Sequence, residues 1–220
     1  MKTILTVGFE AKHTKDSFSP QPISKIGFWS AILSLIFGLG YVVAQLFSWL
    51  KIITYPQDQF WLFLPSLFLA PSFLVAIICA HYKAPAALNI WSAIGIGFAI
   101  VYCTFATMTY FTQLGSIVPG VVNGEITQAH PLIFKPRSFT MAIDCLGYFF
   151  MSLSTLFTAF AFRETEKRLY GWLLFNGLLI ILFIPAYFYP FLYYIGSVWA
   201  VSFSVCMIYM ARFMQLENLL

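Results

Sequence analysis

Charge is what this chain has least of. Only 9% of its 220 residues are Asp, Glu, Lys or Arg, against 60% that are apolar. That leaves too little polar surface to coat a water-soluble globule of this size. The stretches from Ala84 to Gly124 and from Leu169 to Ala211 carry no charged residue at all.

Chemistry-bearing motifs are equally scarce. The sequence has no P-loop, no G-x-S-x-G elbow and no H-E-x-x-H pair, each of which would mark a specific catalytic geometry. Gly95-Ile96-Gly97 is a mere fragment of a dinucleotide fingerprint and lies inside an apolar run. Cys79, Cys103, Cys145 and Cys206 lack the paired short spacing of a metal or redox motif, so they read as small packing residues. His13, His81 and His130 fall in the tail and in connectors on opposite sides, which disfavours a two-histidine haem site. No lysine sits mid-span to form a retinal Schiff base. The expectation is therefore of no catalytic residues, no cofactor and no bound metal, in a protein that is not an enzyme. Glu125 and His130 in one loop could serve a lipid-modifying activity only if further polar groups converged on them.

What the sequence does hold is length enough for six membrane crossings. A hydrocarbon core about 30 Å thick takes roughly 20 apolar residues of helix at about 1.5 Å each. Spans are predicted at Ile26 to Leu50, Phe60 to Ala80, Ala87 to Gln113, Phe139 to Phe162, Tyr170 to Phe188 and Phe191 to Phe213. The last two divide a run that as one helix would extend about 65 Å, twice a bilayer crossing. Tyr187-Phe188-Tyr189-Pro190 is the predicted break, giving a hairpin with a minimal turn.

The fold class is thus all-α, a polytopic integral membrane protein built as a bundle of six transmembrane helices. Residues 1–25 form a polar tail, 26–213 the membrane domain, 114–138 its longest connector and 214–220 the C-terminus. Lys12 and Lys15, with Glu10 and Asp16, interrupt the tail, so it does not read as a cleavable signal peptide. Lys2, Lys12, Lys15, Lys25, Lys83, Arg163, Lys167, Arg168 and Arg212 fall on one face; Lys51, Lys135 and Arg137 fall on the other. Nine against three predicts both termini in the cytoplasm. The same scatter of positive charge, never dense, argues against nucleic acid as a partner. An even six spans would permit inverted repeats of three, but no sequence echo supports them.

Asp144 is the one acidic residue well inside a predicted span, about 9 Å into the fourth helix. A carboxylate there must be protonated, reach water or meet a cation, because hydrocarbon excludes it. Tyr148, Met151, Thr155 and Thr158 continue its helix face and should point inward. Gln45, Ser66, Thr107 and Ser197 fall near the depth of Asp144 in their own helices, so Asp144, Tyr148, Thr155, Gln45, Ser66, Thr107 and Ser197 form the candidate polar pocket. Interhelical hydrogen bonding is the plainer explanation of such residues, and it is the preferred one for Gln113 and Asn176. Ser30, Ser34 and Gly38, and likewise Gly95, Ala99, Cys103 and Thr107, recur every fourth residue as packing stripes.

Two functional classes follow. The first is a carrier or binding protein for a small solute, proton or cation. The second is a non-catalytic assembly or regulatory protein, with lipid around it, whose surface and Arg163 to Arg168 connector bind another protein; a homo-oligomer is the other partner expected.

Overall fold

The computed structural model describes residues 20–189, 191–192 and 197–215. Those residues are helical nearly throughout and include no strand. The elements are α1 (Pro20–Trp49), α2 (Gln57–Lys83), α3 (Asn89–Thr112), a π turn (Gln113–Ile117), α4 (Val118–Val122), α5 (Phe139–Ala161), α6 (Lys167–Leu178), α7 (Ile180–Phe188) and α8 (Val198–Gln215). Among the described residues, six helical segments are long and apolar enough to cross a membrane, with α3 to α4 forming one and α6 to α7 another.

Each span packs on its neighbours in sequence: α1 on α2, α2 on α3, α3 on α5, α5 on α6 and α7, and α6 on α8, which returns to α1. The six spans close a ring in chain order. Its outside is apolar, with Trp29, Ile36, Phe111 and Ile181 all more than half exposed, while Ser34, Thr155, Thr158 and Asn176 are wholly enclosed. A membrane bundle sorts residues this way because lipid rewards apolar side chains and leaves hydroxyls and amides to bond one another.

Close approach between spans rests on glycine at two points. A Cβ on Gly95 would strike Thr158 Oγ1 and come within 3.0 Å of the Ser154 carbonyl, and one on Gly177 would meet the Leu156 backbone at 2.7 Å. These contacts set α3 against α5 and α6 against α5 at backbone distance.

The observed ends depart from the predicted ones for local reasons. α1 starts at Pro20 rather than Ile26, since proline in a first turn lacks only an N–H that would find no helical acceptor. The connector expected from Leu114 begins at Asn123, because the helix survives Pro119 by widening: Val118 N–H reaches back five residues to the Gln113 carbonyl. The chain then turns at Gly124, whose φ of +75° suits glycine. α6 and α7 meet at a kink at Leu179, whose N–H bonds three residues back to Asn176. The next described helix, α8, begins at Val198, and the predicted minimal turn after Phe188 falls largely on residues 190 and 193–196, outside the described residues. Pro190, the predicted breaker, lies outside the described residues, as do Lys2, Lys12 and Lys15.

Candidate functional site

Six spans present one of their ends to a common cavity of about 720 Å³. α1 contributes Tyr41, Gln45 and Trp49; α2 contributes Gln59, Phe63 and Ser66; α3 contributes Tyr110; and α5 contributes Met141, Asp144 and Tyr148. Leu182, Phe183 and Ala186 come from α7, Ser197 from just before α8, and Trp199 and Val201 from its first turn. Phe134, Lys135 and Pro136 of the long connector complete the lining.

The connector is held against the bundle by specific bonds. Gln113, almost fully buried, donates Nε2 to the Leu132 carbonyl at 2.6 Å. Ser138 caps α5 by accepting from Met141 N–H at 3.2 Å, and its hydroxyl also accepts from Lys135 N–H at 3.3 Å. Thr140 donates to the Ile133 carbonyl at 3.3 Å. An N-cap of this kind fixes where the helix begins, and therefore which way Asp144, six residues on, projects. Arg137, just before the cap, takes a positive φ of 64° to make the corner.

Asp144 is 7% exposed, and the Tyr110 hydroxyl donates to its Oδ1 at 2.7 Å. Tyr41, Tyr102 and Tyr148 also lie within electrostatic reach of the carboxyl. The Tyr41 hydroxyl donates to Gln45 Oε1 at 3.2 Å, and Ser66 donates back to the Leu62 carbonyl at 2.8 Å. Much of the cavity's polar inventory is thus already paired within the protein. Trp199 Nε1 and Gln59 Oε1, both on lining residues, are buried without a hydrogen-bond partner among the described residues.

Aromatic faces make up the rest of the wall. Trp199 stands edge to face with Tyr148 at 5.0 Å and with Tyr41 at 6.2 Å, and Tyr148 stacks on Phe183 at 5.3 Å. Phe63 stacks on Tyr110 at 5.5 Å and meets Phe134 at 5.2 Å. Toward the other end of the bundle the interior closes: Phe73 packs on Tyr102 and Phe203, and Met151 and Met207 are wholly buried.

Of the sequence candidates, Asp144, Tyr148, Gln45, Ser66 and Ser197 line this cavity, whereas Thr107 and Thr155 do not. Thr155 shares the Asp144 face but lies 11 residues farther along, about 16 Å down the axis. There it accepts from Asn176 Nδ2 at 3.2 Å, while Ser202 donates to Asn176 Oδ1 at 2.7 Å. Thr107 donates to the Cys103 carbonyl within its own helix. Tyr110, Tyr41, Trp199 and the connector residues went unread as site residues. Glu125 and His130 are not among the lining residues, and His130 Nδ1 accepts from Leu132 N–H at 3.3 Å.

No protein-family model matches the chain, and neither does any curated protein or solved structure.

Proposed function

We propose that this multi-pass membrane protein is a carrier or binding protein for a small solute, taken up in the cavity that Asp144 borders. A single observation carries the reading: a nearly buried carboxyl borders a space of about 720 Å³, within the size range of small-molecule sites, to which all six spans contribute. A carboxyl serving only to join helices needs no such space. Trp199 Nε1 and Gln59 Oε1, without a partner among the described residues, add to the case, since buried polar groups are ordinarily satisfied and a solute or water in the cavity would satisfy these. A cavity at one end of the bundle, above a packed aromatic and methionine interior, suits one access state of a carrier.

On the distribution of Lys and Arg, the cavity end is the non-cytoplasmic one. Lys25, Lys83, Arg163, Lys167, Arg168 and Arg212 belong to the opposite end, and Lys51, Lys135 and Arg137 to the cavity end.

The test is uptake into proteoliposomes by the wild type and by Asp144→Asn, with both shown to be folded by gel filtration. Asp144-dependent uptake supports the carrier. Equal uptake by both forms removes Asp144 from the mechanism. If neither form binds or moves a solute, the assembly or regulatory role through the Arg163 to Arg168 connector takes precedence.

A further inference from the structure

We propose that the solute is a small organic ammonium: a positively charged nitrogen carrying an apolar body, its charge set against Asp144 and its substituents against the tyrosine and tryptophan faces. The proposal rests on the reading of the cavity as a solute site and names what that site selects.

Three classes of cation compete for a buried carboxylate. A proton needs a path but no room, and this space is far larger than a proton relay requires. An inorganic cation must exchange its water shell for about six or more oxygens if divalent, as calcium does. The lining brings one carboxylate, Asp144, whose Oδ1 already accepts from Tyr110, and Gln45 Oε1 already accepts from Tyr41. Among the described residues, no three His, Cys, Asp or Glu side chains gather to hold a metal ion.

An organic ammonium requires something different, and the cavity supplies it. Its charge is spread over alkyl groups that bind few waters, so desolvation is cheap and the negative faces of aromatic rings attract it, tryptophan most strongly. Trp199 stands edge to face with both Tyr41 and Tyr148, and Phe63 and Phe134, themselves edge to face, line the same cavity as Asp144. Lys135 at the lining, exposed and donating to the Gln128 carbonyl at 3.0 Å, disfavours a second positive charge on the guest.

The experiment is equilibrium binding of radiolabelled benzyltrimethylammonium to the full chain in lipid nanodiscs, competed with its uncharged carbon isostere neopentylbenzene and with sodium chloride. Saturable binding is expected, weakened about tenfold or more in Asp144→Asn and about tenfold in Trp199→Leu, and largely kept in Trp199→Phe. Neopentylbenzene should compete at least tenfold more weakly than unlabelled ammonium. If Asp144→Asn does not fold, Trp199→Leu against Trp199→Phe and the isostere decide the matter. Absence of saturable binding, equal competition by the isostere, or displacement by sodium at equal concentration overturns the proposal. Asp144-dependent uptake of another solute without ammonium binding overturns the ligand class and leaves the carrier standing. Ammonium binding without uptake supports the class and removes the carrier.

Discussion

Tyr110 and Asp144 join the third and fourth spans: the phenol donates to the carboxyl Oδ1 at 2.7 Å, and both side chains are more than nine-tenths buried. Removing the donor leaves a buried acceptor less satisfied, which costs about 1 to 3 kcal/mol. Tyr110→Phe should therefore lower the thermal midpoint of the detergent-solubilised protein. Asp144→Ala combined with Tyr110→Phe should cost less than the sum of the single changes, with a coupling energy of about 0.5 to 3 kcal/mol. Strict additivity in the double-mutant cycle would mean that the two groups do not interact.

Gly95 and Gly97 form a matched pair on one helix. A Cβ at Gly95 would meet Thr158 and the Ser154 carbonyl, whereas at Gly97 it would meet nothing within 4 Å. Gly95→Ala should destabilise by about 1 to 3 kcal/mol through overpacking. Gly97→Ala should stay within about 0.5 kcal/mol of wild type. Similar thermal midpoints for the two variants would contradict the α3–α5 contact.

How far the site was legible follows from the geometry of α3. Six spans could be read because uncharged length is a direct requirement of a bilayer, and Asp144 because an acid in such a span has no cheap explanation. The stripe Gly95, Ala99, Cys103, Thr107 was misleading beyond its first two members. Steps of four residues advance a helix by about 40° each, so Thr107 lies roughly 120° from Gly95. The buried seam mixes steps of three and four through Ser92, Gly95, Ala99, Tyr102, Ala106 and Tyr110, and so delivers Tyr110 to Asp144. The folded connector was illegible for another reason. Its contribution to the lining depends on Gln113 bonding Leu132, a pairing across 19 residues that no local pattern announces.

Asn176 separates structural polarity from site polarity. Its amide bonds both Thr155 and Ser202, joining α6 to α5 and α8 away from the cavity. Asn176→Ala should lower stability by about 1 to 3 kcal/mol, since both links are lost in a site with little water. Binding of the cavity ligand, measured below the melting temperature, should change less than twofold, and Thr155→Val should behave alike. A large loss of affinity with unchanged melting would place this triad in the binding machinery instead.

The membrane orientation follows from where a soluble reagent can reach. Asn123 begins the connector at the cavity end, and exposed Glu164 sits in the turn between α5 and α6 at the other. Lys and Arg resist transfer across the bilayer, so the charge distribution predicts that the end holding Arg163, Lys167 and Arg168 is the cytoplasmic one. A single cysteine introduced as Asn123→Cys, with the four native cysteines replaced by Ala, should react with a membrane-impermeant maleimide on intact cells, whereas Glu164→Cys should react only after permeabilisation. For a protein of an internal membrane, the same pair is read in sealed vesicles with the cytoplasmic face outward, where Glu164→Cys should react first. The reverse pattern would invert the topology and place the Asp144 cavity on the cytoplasmic side, so that a carrier would load its solute from within.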